Sequence, residues 1–80
     1  MPDAHARCLT AFASGLRQKA RTAGADARAP GATDTDRARA VALFEIVGLL
    51  LYEADDAGLA PADLGLGDFD PERDILGPMP

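Results

Sequence analysis

The sequence predicts an all-α protein, a small helical domain of two long helices plus one or two short C-terminal helical turns. Three observations predict it. Apolar residues recur at helical spacing over residues 3–23 and again over about 36–57. Each of these segments runs into a glycine, Gly24 and Gly58, the usual helix stop. Neither an internal repeat nor a hairpin turn interrupts the pattern. Eighty residues make a single domain, 1–80, with residues 24–35 as an internal linker.

In the first helix, Ala6, Leu9, Phe12, Ala13, Leu16, Ala20 and Ala23 fall within one stripe at 100° per residue. Pro2 suits its start. Arg7, Ser14, Arg17, Gln18 and Arg21 take the opposite face. A stripe built mostly of alanine lets a neighbouring helix come close but buries little area per residue. The linker "GADARAPGATDT" has no periodicity. Thr33 or Thr35 then caps the second helix, with Asp34 and Asp36 in the first turn, where negative charge is favoured.

The second helix is apolar over most of its circumference. Val41, Leu43, Phe44, Ile46, Val47, Leu50, Leu51 and Tyr52 leave only a narrow polar strip of Glu45, Glu53 and Asp56, with Leu49 among them. Such a helix is central in its domain or buried against another chain. Val41, Phe44, Val47, Gly48 and Leu51 are therefore candidates for self-association as a homodimer. A glycine at 48 costs about 1 kcal/mol in a helix interior, and a close helix–helix contact would be one reason to tolerate it. The C-terminal third reads as one turn beginning at Pro61 and a second in which Asp70 is the N-cap, Pro71 the first helical residue and Gly77 the stop, anchored by Ile75 and Leu76.

Charge is distributed unevenly. Residues 1–30 carry a net +3, residues 31–40 balance, and residues 41–80 hold nine acids against Arg73 alone, a net −8. A segment so acidic repels nucleic acid and anionic membranes and attracts basic surfaces. The 17 alanines, and seven arginines against one lysine, match a GC-rich coding sequence, bacterial or phage. One cysteine permits no internal disulfide, which fits a reducing, intracellular setting. No secretory signal is expected. "AVALFEIVGLLLY" is too short and carries Glu45, so the expected location is the cytoplasm of a bacterial host.

Specific chemistry is poorly supplied. Asp68, Asp70 and Glu72 mimic the first ligands of a calcium loop, but Arg73 stands where a glycine is needed and Met79 where the closing glutamate belongs. His5 and Cys8, one turn apart, lack two further ligands for zinc, and His5 is expected to pack on the apolar side or sit at a frayed end. Cys8 has no held base to activate it, so a Cys8–Cys8 disulfide between copies is its more plausible chemistry. No phosphate loop exists, since Gly65-Leu66-Gly67 lacks the following glycine and lysine. The only serine, Ser14, is misplaced for an acyl carrier's Asp-Ser-Leu attachment site. No enzyme, metal or cofactor is expected.

Two binding readings remain. Arg7, Arg17 and Arg21 could grip DNA phosphates; the bland alternative is that they are solvated or pair with the acidic half. That reading gives a dimeric helical regulator, antitoxin-like or a conjugation accessory, touching DNA through its first helix. The other reading starts from "LYEADDAGLAPADLGLGDFDPERD", a net −7 over residues 53–74. Its bland alternative is a solvated acidic surface. In profile, this tiny, acidic, helical chain resembles the small inhibitors of phages and mobile elements, among them anti-CRISPR proteins that occupy the DNA-binding surface of a guide-RNA complex. The resemblance implies a DNA mimic in which Glu53, Asp55, Asp56, Asp63, Asp68, Asp70, Glu72 and Asp74 bind lysines and arginines of a basic nucleic-acid-binding effector. Target DNA would then be excluded by competition, without chemistry.

Overall fold

The structure, a computed structural model, describes residues 3–77; Pro2 and Met79 lie outside them. Two long helices, α1 (Ala4–Arg28) and α2 (Asp34–Asp56), pack against each other and are followed by a 3-10 turn, Pro61–Leu64, and one π-type turn, Glu72–Leu76. Both turns pack on both helices. Among the described residues there is no strand, and no helix is long and apolar enough to cross a membrane.

Local chemistry accounts for most boundaries. Asp3 caps α1 by accepting the His5 N–H at 3.1 Å. Thr33 caps α2 in a reciprocal box: its hydroxyl accepts the Asp36 N–H at 3.1 Å, while the Asp36 carboxylate accepts the Thr33 N–H at 2.9 Å. These bonds hold the Asp36 carboxyl below its usual range. Helix α2 ends at Gly58, whose φ of +84° lets its N–H reach the Asp55 carbonyl while the Leu59 N–H reaches that of Ala54, 3.0 and 2.8 Å.

One expected boundary is overturned. Gly24 does not stop α1; the helix continues to Arg28, and the linker shrinks to residues 29–33. Gly24 is buried, and a Cβ there would lie 2.7 Å from the Ile75 carbonyl oxygen and 2.8 Å from that of Asp74. Its missing side chain admits the backbone of the last turn, a packing role that sequence punctuation reads as a stop. "ADAR", beyond it, is helix-compatible and carries α1 one further turn.

The core explains why the C-terminal third is folded down. Among the eleven buried apolar residues, five are alanines from the helices, where the close approach expected of the α1 stripe is seen. Four of the six larger ones, Leu64, Leu66, Phe69 and Ile75, come from the C-terminal segment, beside Leu16 and Val47. Each larger side chain contributes about 1.5–3 kcal/mol as an upper estimate, so the hairpin alone is poor in core and the segment completes it. The outer ends of the expected stripe do not join: Ala6 is exposed and Phe12 is 55% exposed. Ile75 anchors the last turn as expected, but Leu76, the next residue around that turn, is 41% exposed.

Candidate functional site

The charged side chains of the two halves meet along one flank of α1. Arg17 donates through Nη1 to the Gly65 carbonyl at 2.9 Å and through Nη2 to Asp68 Oδ2 at 3.1 Å. Arg17 and Arg21 both lie over the Phe69 ring, 5.9 and 5.7 Å from its centroid. Arg28 donates to the Ile75 carbonyl at 3.3 Å. Residues 17, 21, 24 and 28 follow each other at intervals of three and four, so they form one ridge of α1 on which the C-terminal segment sits. The arginines expected to face DNA or to pair with the acidic half are therefore divided: Arg17 is partly buried and bonded to the chain's own C-terminal segment, Arg21 lies over Phe69 but stays exposed, and Arg7 is exposed.

The eight acids divide too. Asp68 is held by Arg17, which keeps its carboxyl below the usual range, mainly through that hydrogen bond. Asp74 is gripped by both the Nε and Nη2 of Arg73, at 3.1 and 2.9 Å, and also accepts the Asp70 N–H at 2.9 Å. With its side chain only 18% exposed, Asp74 is lowered to about 2, the Arg73 contact first and the Asp70 amide second. The same contact raises the Arg73 guanidinium. Asp70 accepts the amides of Glu72 and Arg73 at 3.0 and 3.4 Å, doing the capping work expected of it ahead of Pro71. Asp63 accepts the Ala60 N–H at 2.7 Å and closes the 3-10 turn.

Four of the eight, Glu53, Asp55, Asp56 and Glu72, are exposed and have no side-chain hydrogen bond or ion pair among the described residues. The first three crowd the last turn of α2. Negative charge there opposes the helix dipole, an unfavourable placement that the fold itself does not require. The opening of that helix, by contrast, uses Asp34 and Asp36 where acids stabilise.

The expected self-association residues are scattered by the fold. Val47 is 1% exposed and belongs to the chain's own core; Phe44 and Leu51 are half-buried against it. Val41 is 48% exposed, and Gly48 faces open space with nothing within 4 Å of a Cβ. Leu49, expected on the polar strip, is 61% exposed, whereas the exposure of Ile46, 44%, escapes sequence reasoning because a helix apolar all round does not reveal which side its own chain covers. His5, expected on the apolar side, is fully in water with its ring 3.4 Å from Asp3. Cys8 is exposed. Among the described residues, no three His, Cys, Asp or Glu side chains are grouped as metal ligands. Neither protein-family models, nor curated proteins, nor solved structures yield a match to this chain.

Proposed function

We propose that this chain is an acidic binding inhibitor that occupies the basic nucleic-acid-binding surface of another protein complex and competes with the nucleic acid, as anti-CRISPR inhibitors of guide-RNA effectors do. The observation that carries the reading is the cluster of exposed acids at the end of α2, Glu53, Asp55 and Asp56, held where negative charge costs helix stability and left without basic partners among the described residues. Glu72 adds a fourth free carboxylate from the docked segment. Lysines and arginines spaced to hold phosphates would engage such carboxylates without a chemical step. The inward use of Arg17 takes one of the three arginines from the alternative of a DNA-gripping α1.

The test is affinity capture from a bacterial lysate at low salt, followed by a salt gradient and a gel shift of any captured complex with its nucleic acid. Release of a basic nucleic-acid-binding complex between about 0.2 and 0.5 M salt, and loss of its gel shift when the protein is added, is the expected outcome. Reversing Asp55, Asp56 and Glu72 to lysine together should abolish both effects while circular dichroism stays helical. Recovery of DNA itself, or competition unchanged by the triple reversal, would overturn the proposal.

A further inference from the structure

The C-terminal segment covers only one side of the α1–α2 hairpin. On the other side an open groove of about 820 Å³ runs between the helices, with Leu43, Ala42 and Ile46 of α2 and Gly15, Ala23 and Lys19 of α1 among its lining. No segment of the described chain enters it. We propose that a second copy of this chain fills the groove, in a twofold, antiparallel four-helix packing centred on Ile46. The inference shares Glu53 with the acidic-inhibitor reading: in the dimer Glu53 is engaged by the second copy, and Asp55, Asp56 and Glu72 stay free for a basic partner.

Surface area is the first argument. The chain exposes 5540 Å², whereas a compact monomer of its 8.3 kDa mass exposes about 4,600 Å² by the usual scaling. The surplus, roughly 1,000 Å², is the area each partner contributes to a standard-size interface, about 800 Å². Extents of 48 × 21 × 17 Å go with that surplus: the hairpin is elongated, and its long helices are only partly covered.

Charge decides the occupant and its direction. Arg39 lines the groove towards the linker end, and Ile46 stands seven residues on. Glu53 follows after another seven, exposed and unpaired among the described residues. Positions seven apart lie on one line of a helix, so α2 presents a basic residue, an apolar centre and an acid in a row. An antiparallel copy related by a twofold axis through Ile46 brings Arg39 of each chain opposite Glu53 of the other. A parallel copy would set like charges against each other, which disfavours it. Leu49, 61% exposed beside this line, falls opposite the half-buried Leu43 in the antiparallel register. On α1, Gly15 lines the groove with nothing within 4 Å of a Cβ, leaving room for the second hairpin to approach.

Sedimentation equilibrium of the full chain at about 100 µM, where any interface with a low-micromolar Kd is filled, should report twice the 8.3 kDa chain mass. Ile46→Glu should return it to the chain mass with helicity retained, since Ile46 is already 44% exposed within one chain. The charge pair supplies the sharper test. Arg39→Glu and Glu53→Arg should each weaken association by about tenfold, and the double exchange should restore it. A wild-type chain that stays monomeric at this concentration overturns the proposal. So does a dimer indifferent to Ile46→Glu, which would place the interface elsewhere. A dimer lost in the single charge variants but not recovered in the double exchange overturns the antiparallel register.

Discussion

Replacing Gly24 with alanine should destabilise this protein, against the normal rule for a helix interior. Alanine is intrinsically better than glycine there by about 1 kcal/mol. At Gly24 the added carbon would sit 2.7 Å from the Ile75 carbonyl oxygen, 2.8 Å from that of Asp74 and 3.0 Å from the Ile75 Cα. All three are backbone atoms, so no side chain can swing aside; the last turn must lift from α1. Overpacking of this kind costs about 1–3 kcal/mol, and lifting also loosens Ile75, which is 1% exposed. The balance is a net loss of up to about 2 kcal/mol. Gly48 is the control: it lies in the interior of α2 with nothing within 4 Å of a Cβ, so Gly48→Ala should stabilise by up to about 1 kcal/mol. In urea unfolding followed by circular dichroism at one fixed protein concentration, a slope near 1 kcal/mol/M moves the Gly24→Ala midpoint down by up to about 2 M and the Gly48→Ala midpoint up by as much as about 1 M. If Gly24→Ala raises the midpoint as Gly48→Ala does, the close docking of the C-terminal turn on α1 is wrong.

Two further outcomes concern the C-terminal segment, one its last turn and one its tie to α1. Asp74, lowered to about 2 in the folded chain against an ordinary value of 3.8, stabilises the fold fully above about pH 4, and that contribution is lost as the pH falls through 4 towards 2. Acid titration of wild type should show a loss of about 2 kcal/mol from this group over that window, and Asp74→Asn should remove that part of the pH dependence; an unchanged acid profile would refute it. Arg17→Ala strips the Gly65 carbonyl and Asp68 of their donor and uncovers Phe69, and should cost about 1–2 kcal/mol in the same urea assay. A neutral result would mean that Arg17 does not tie the segment down.

Local signals were legible where a residue acts on its own backbone. Gly58, Pro61 and Asp70 before Pro71 are each specified by hydrogen-bond geometry within a few residues, and each turn is found where that chemistry puts it. Sequence narrows the cap of α2 to Thr33 or Thr35, and it is the reciprocal bond with Asp36 that selects Thr33. Gly24 shows where such reasoning stops. A glycine that ends a helix and a glycine that admits another backbone are identical in sequence, and only the arrival of Ile75, 51 positions later, separates them. The acids pose the same difficulty. Asp68 and Asp74 have the same local appearance as Asp55 and Asp56, yet the first two are held by arginines and the others are not. Charge counting along the chain found the acidic half but not the division within it.

That division bears on what an acidic surface here can do. A carboxylate already satisfied by an arginine or an amide offers less to a basic partner than its formal charge suggests, because binding must break or share the existing bond. Asp68, Asp70 and Asp74 have their main use inside the protein: Asp68 ties the segment that carries Leu66, Phe69 and Ile75 to Arg17 of α1, while Asp70 and Asp74 close that segment's last turn. The capacity to attract another protein is thereby concentrated at the end of α2, with Glu72 as a separate free carboxylate on the docked turn, near Phe44. Net charge sets the range at which a basic surface is felt, whereas these few unengaged carboxylates decide what it grips. Reversing the engaged acids would therefore unfold the segment and confound a binding assay, while reversing Asp55, Asp56 and Glu72 changes recognition with the fold intact.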